Sequence, residues 1–135
     1  MTAPASKFCA AATLFVVNDV LKSVAHYRDV LGFKVAFTNG QPVFYGGVER
    51  NDVVIHFQAA SHTRRAVGQG AVNIFVTEVD ALYAELLSRG ALISQPPGDR
   101  PYGMRDFDLD DPDGNHLSFG MESAVAASGV PAGAD

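Results

Sequence analysis

Tryptophan is absent from this chain of 135 residues, and cysteine occurs once, at Cys9. A single thiol excludes an intrachain disulfide and any multi-cysteine zinc staple, so the fold must stand on its apolar core. A reducing, cytoplasmic setting is the expectation. Long apolar runs are missing too. Only Lys7 precedes a short apolar stretch, too short to span a bilayer and without the basic start of a secretory signal, so no membrane partner is expected. Positive charge is scarce: 10 Lys and Arg stand against 15 Asp and Glu, a formal net charge of -5. That balance argues against nucleic acid as a partner and favours small cationic ligands over anionic ones. The motifs of common enzyme classes are also missing. There is no Gly-x-Ser-x-Gly nucleophile elbow, no Gly-x-x-x-x-Gly-Lys phosphate cradle and no cysteine near a plausible histidine partner.

What is present is a chain 47% hydrophobic, of a length that fits one domain burying roughly two-thirds of its unfolded surface. Met1 to Ser6 reads as a loose arm, with regular structure beginning near Cys9. Ala12 to Val17 forms a strand. Asn18-Asp19 then offers a helix cap, and Val20, Leu21, Val24, Tyr27, Val30 and Leu31 recur at helical spacing until Gly32 ends the helix. His26 falls on the exposed face of that helix. Phe33 to Thr38 returns as a strand, Asn39-Gly40 is a hairpin turn signal, and Pro42 to Glu49 pairs back, with Gly46-Gly47 marking a kink or bulge. After Arg50-Asn51-Asp52, a turn, Val53 to Gln58 makes a fourth strand.

Ala59 to Gly70, with His62, Arg64 and Arg65, has no apolar period and reads as a connection. The pattern then repeats: a strand over Ala71 to Thr77, a helix over Val79 to Arg89 with Gly90 as its stop, a strand over Ala91 to Ser94, and a final hairpin. Phe15 to Asp19 and Phe75 to Asp80 open equivalent halves about sixty residues apart, the mark of two fused copies of one unit. The expectation is an α+β fold of two βαβββ halves, 8–58 and 71–121, within one domain spanning 1–122. Each half would bury its helix-facing side and leave the other face free, and the free faces would form a cleft. Ser123 to Asp135, rich in Ala and Gly, reads as a disordered tail.

The final hairpin, Pro101 to Phe119, is the most distinctive stretch. Phe107 and Leu109 alternate with acidic neighbours, Asp111-Pro112-Asp113-Gly114 makes a turn, and Leu117 and Phe119 resume the alternation. The approach Pro101-Tyr102-Gly103-Met104-Arg105 and the turn Asp111-Pro112-Asp113-Gly114-Asn115 together resemble the last hairpin of the vicinal oxygen chelate superfamily. That superfamily includes glyoxalase I, extradiol dioxygenases, fosfomycin resistance enzymes and bleomycin resistance proteins. The likeness runs from about Ala12 to Phe119 and implies the paired βαβββ fold, a curved mixed sheet with a cleft.

The resemblance also implies where metal ligands belong in the metal-dependent members: early in the first strand of each half, in the fourth strand, and just after the final turn. Counted from Asp19 and Asp80, these positions are Ala12, Asn73, Val54 and Ser118, which include no histidine and no carboxylate. Strand parity puts His56 on the face of Val54 and His116 on the face of Ser118, so an improvised site with Asn73 is the one metal alternative. No metal and no cofactor is expected, and His56, Asn73, His116 and Ser118 are expected as polar lining of the cleft.

Within the superfamily the local match is closest to bleomycin resistance proteins, in Tyr45 to Val53, Val79 to Glu85 and Pro101 to Phe107. Such proteins do no chemistry; they form dimers and sequester a flat cationic drug in grooves at the interface. The likeness makes Tyr45 and Tyr102 the aromatic pair that would sandwich a planar ligand, with tyrosine where phenylalanine and tryptophan are usual. If Phe107 and Leu109 face the helices, Asp106 and Asp108 face the cleft and attract a cation. The expected function is therefore small-molecule sequestration by a homodimer. The alternatives are a metal-dependent lyase, isomerase or dioxygenase of the same superfamily, and a non-catalytic accessory or interaction domain.

Overall fold

A computed structural model describes residues 3–124. Thr13–Val17 form strand β1, and the Asp19 carboxylate then accepts the Lys22 amide hydrogen at 3.1 Å to open helix α1, Val20–Asp29. Strands β2 (Lys34–Gly40), β3 (Val43–Arg50) and β4 (Val53–Ala59) complete the first half. The second repeats the order with β5 (Ala71–Phe75), α2 (Val79–Ser88), β6 (Ile93–Asp99), β7 (Met104–Asp110) and β8 (His116–Glu122). Each half is a four-stranded mixed sheet, ordered β1-β4-β3-β2 and β5-β8-β7-β6. β1 runs parallel to β4 and β5 parallel to β8, while the other pairings are antiparallel. The α+β reading with two βαβββ halves is the observed architecture.

Strand alternation decides which face is which. Ile55 and Phe57 on β4, Phe107 and Leu109 on β7, and Leu117 and Phe119 on β8 are buried in the core with Val20, Val24, Tyr27 and Leu86 of the helices. The residues between them therefore stand on the faces away from the helices. Gly46 and Gly47 serve close approach. A Cβ on Gly46 would come within 3.0 Å of Val20, and one on Gly47 within 2.4 Å of the Phe37 ring, so the first seats α1 and the second seats an aromatic on the open face.

Several expected boundaries move. Asn39-Gly40 does not turn: both residues stay in β2, paired with Tyr45 and Val43, and the reversal is made by Gln41-Pro42, joined by a cis peptide bond. The strand expected over Ala91 to Ser94 begins later and runs to Asp99, through Pro96 and Pro97. Proline is tolerated there because β6 is an edge strand with no neighbour on its outer side. Residues 3–12 carry no secondary structure and are exposed throughout, Phe8 completely so. His26 is half-buried rather than on an exposed face, its ring edge-on to Tyr27. Of the expected tail, Ser123 is buried and its amide bonds the Gly103 carbonyl, while 125–135 lie outside the described residues. No helix among the described residues is long and apolar enough to cross a membrane.

The two halves are joined by the turn between β7 and β8. Asp111 is 5% exposed, and its carboxylate accepts from the Tyr27 hydroxyl (2.8 Å), the Asn115 amide (2.9 Å), the Asp113 amide (3.0 Å) and the Asn115 side chain (3.2 Å). Asp113 accepts from the Asn18 backbone and side chain, both at 3.1 Å, and from the Ser23 hydroxyl. At the other end, Arg50 of β3 forks onto Glu85 of α2 at 2.8 and 2.9 Å and reaches the Leu31 carbonyl.

Removing Asp111 should therefore cost more than a surface carboxylate. Asp111→Ala strands the buried Tyr27 and Asn115 donors, and urea unfolding should register a loss of about 3 kcal/mol, against about 1 kcal/mol for Tyr27→Phe. A loss below half a kcal/mol for Asp111→Ala would mean that the turn does not hold the halves together. His26 supplies a pH test. Burial lowers its pKa below the ordinary value, with nearby Asp111 and Asp113 opposing in part. The unfolded chain then takes up a proton first, so stability present above about pH 6.5 is lost as pH falls through the folded pKa. Thermal unfolding at pH 7 and pH 5 should show this loss reduced in His26→Gln. An unchanged loss would assign it elsewhere.

Candidate functional site

On the second sheet, parity brings most of the expected residues to one face. Asn73 of β5 pairs with Ser118 of β8, which pairs with Asp108 of β7; the next row joins Phe75, Gly120 and Asp106, and the row on the other side joins Ala71, His116 and Asp110. With Tyr102 from the turn between β6 and β7, Asn73, Asp106, Asp108, His116 and Ser118 from these rows line a cavity of about 350 Å³, to which Ala71 and Asp110 do not contribute. Six of the eight sequence-derived candidates thus share one cavity. Phe107 and Leu109 face the core, as the alternation requires.

The two aspartates are not equivalent. Asp106 is buried and already engaged: Arg100 Nε donates to Oδ1 at 2.8 Å, and the Tyr102 hydroxyl donates to Oδ2. That bond, with some burial, raises the Tyr102 pKa. Asp108 differs. Its Oδ1 is fully covered yet has no hydrogen-bond partner among the described residues, and its Oδ2 lies 3.5 Å from His116 Nε2. The other ring nitrogen of His116 is 2.8 Å from Asp110 Oδ1, so the imidazole stands between two carboxylates. An unpaired buried carboxylate oxygen is costly to the fold.

The remaining two candidates, Tyr45 and His56, are on the open face of the first sheet. Tyr45 Oη and His56 Nδ1 share a 2.8 Å hydrogen bond, and the Phe37 ring stacks on Tyr45 and meets His56 edge-on. This aromatic cluster contributes no residue to the 350 Å³ cavity. Within one chain the candidates fall into two groups, an aromatic one on the first sheet and a mostly polar one on the second. Phe37, Arg100 and Asp110 were not anticipated. Arg100 immediately precedes the Pro101 motif, but no periodic signal marks it.

The donor set does not suit a metal ion. Ala12 lies in the exposed segment before β1, Val54 is apolar, and the two histidines are on different sheets. Among the described residues no group of three or more His, Cys, Asp or Glu is placed to hold one. A larger cavity of about 630 Å³ lies between α2 and the β3–β4 turn, backed by Leu31, Phe33 and Leu86. It contains none of the candidate residues, and its Arg50 and Glu85 satisfy each other.

Comparison with solved structures finds the same architecture repeatedly. The bleomycin-binding protein of the bleomycin producer Streptomyces verticillus, solved with copper(II)-bleomycin, is 29% identical, with a TM-score of 0.71 over 85% of this chain and 97% of that one. A superfamily member from Sphaerobacter thermophilus is 24% identical, with a TM-score of 0.69 over 84% of this chain and 98% of that one. TioX from Micromonospora sp. ML1 is 19% identical, with a TM-score of 0.69 over 84% of this chain and all of that one. Among curated proteins none matches significantly. The family model described as Glyoxalase/Bleomycin resistance protein/Dioxygenase superfamily matches residues 10–119, and the chain belongs to that superfamily.

Proposed function

We propose that this protein is a metal-independent binding protein of the cytoplasm that sequesters a planar, cationic small molecule, with bleomycin-type antibiotics as the leading class. The observation that carries the reading is the Asp108 carboxylate, which lines a cavity edged by the Tyr102 ring and whose Oδ1 has no hydrogen-bond partner among the described residues. A cationic donor seated there would satisfy the carboxylate, and a hydrogen bond to a charged group contributes about 1.5 to 3 kcal/mol. The half-exposed phenol offers a stacking face, worth roughly 0.5 to 1.5 kcal/mol per aromatic pair beyond buried area. The acidic balance of the chain favours the same ligand charge, and the 29% identical relative is solved with copper(II)-bleomycin.

The complete site is a property of a homodimer in this reading. The first sheet of one chain, with Tyr45 and His56, faces the second sheet of another, with Tyr102 and Asp108, so that two rings close on a flat ligand. The split of candidates between two sheets supports it, as does the wholly exposed Phe8, an apolar side chain that a second copy could cover.

Calorimetric titration with bleomycin and other planar cationic antibiotics, with and without zinc, nickel, manganese or iron(II), tests the proposal. The expected result is metal-free binding near one ligand per chain. Stoichiometric metal uptake with no heat from any drug would replace it with an enzymatic reading. Tyr102→Ala should weaken binding by more than about tenfold, a loss of roughly 1.4 kcal/mol or more. Asp108→Asn should flatten the salt dependence of affinity, because the ligand cation then has no unpaired carboxylate to screen. Affinity of the unaltered protein that ignores salt would remove the cation from the proposal.

A further inference from the structure

Tyr102 lies in a tight turn, closed by the Gly103 amide on the Arg100 carbonyl at 3.1 Å, and the residue is 57% exposed. Packing alone does not fix a ring so open to solvent, which leaves its hydroxyl bond to Asp106 as the restraint. Asp106 is held in turn. Arg100 Nε meets its Oδ1 at 2.8 Å, while Arg100 Nη2 reaches the Asp106 carbonyl at 3.0 Å and the Pro96 carbonyl at 2.9 Å. One guanidinium therefore ties β6, β7 and the side chain that anchors the ring. Gly98, paired with Asp106 across the strands, clears the space: a Cβ there would come within 2.6 Å of Arg100 Nη1.

We infer that Arg100 is a positioning residue for the ligand site: acting through Asp106, it sets the direction of the Tyr102 ring before any ligand arrives. The consequence for recognition is a division of labour. Asp106 is committed to the protein's own cation, and Asp108 is the carboxylate left to meet the ligand's. The value of a preset ring rests on the sequestration reading above, since a clamp whose wall is already in place loses less side-chain freedom on binding. The geometry of the strut is independent of that reading.

The phenol itself reports on the strut without a ligand. Alkaline titration of phenolate absorbance in the unaltered protein and in Tyr102→Phe identifies the Tyr102 transition, which the Asp106 bond raises above the ordinary value of about 10. In Arg100→Met two accounts predict opposite signs. If Arg100 holds Asp106 in place, the carboxylate is released, the bond to Tyr102 is lost and the transition falls toward about 10. If Arg100 is merely a nearby positive charge, its removal takes away a group that favours phenolate, and the transition rises. A rise or an unmoved transition overturns the proposal. Gly98→Ala repeats the test with every charge retained, since the added methyl displaces the guanidinium, and the same fall is expected. Circular dichroism across the pH range identifies any variant that unfolds.

With bleomycin as the probe, Arg100→Met should weaken binding about tenfold, and adding Tyr102→Ala to it should cost little more, as for two residues acting through one ring. Full additivity of the two losses would overturn the proposal. Absence of binding of bleomycin and of the other planar cationic antibiotics by the unaltered protein would refute the sequestration reading instead, with the titration still deciding the strut.

Discussion

The buried carboxylate of Asp111 is the interaction on which the arrangement of this molecule depends. A charge this far from water is tolerated only when its lone pairs are filled, and four donors fill them: two backbone amides, the Asn115 side chain and the Tyr27 hydroxyl. Three of the four come from its own turn, which makes the turn rigid. The fourth comes from the helix of the other half, which turns a local device into the joint between halves. Asp113 reinforces it with bonds to Asn18 and Ser23. A hairpin turn that looks like surface punctuation is therefore a place where the two sequence repeats are tied together.

That joint determines what is left for function. Because each helix packs on the sheet of its own half and the halves meet through the Asp111 turn and the Arg50–Glu85 pair, the sheet faces opposite the helices are not consumed by these contacts. One presents Phe37, Tyr45 and His56 as an aromatic cluster; the other presents polar rows from Asn73 to Asp108 and from Ala71 to Asp110. The electrostatics of the second face are finer than its net charge suggests. Arg100 neutralises Asp106, His116 stands between Asp108 and Asp110, and among the described residues Asp108 Oδ1 is the one buried side-chain oxygen without a donor.

Most of this was readable from residue order, for identifiable reasons. Period-2 alternation around Phe107, Leu109, Leu117 and Phe119 determines which side chains face the core, so Asp106, Asp108, His116 and Ser118 could be assigned to one face from the sequence alone. The Asp19 cap and the Gly114 turn are local chemistry and were equally legible. What could not be read depends on contacts between segments distant in sequence or on choices among equal local signals. Asn39-Gly40 is as good a turn as Gln41-Pro42 until pairing with Tyr45 and Val43 selects between them. Pro96 and Pro97 argue against a strand unless one knows that β6 lies at an edge. His26 is half-buried because the Asp111 turn of the other half lies beside it. Arg100 shows no periodic signal at all; its role appears only when β6 and β7 are laid side by side.

On the proposal above, the two open sheet faces, and not the larger cavity beside α2, receive a planar cationic ligand. Amide chemical-shift mapping during titration with metal-free bleomycin tests it most directly. Perturbations are expected on β3 and β4 around Tyr45 and His56, and on β7, β8 and the Tyr102 turn. Shifts concentrated instead at Arg50 to Val53 and along α2, with the Tyr102 turn unmoved, would contradict it.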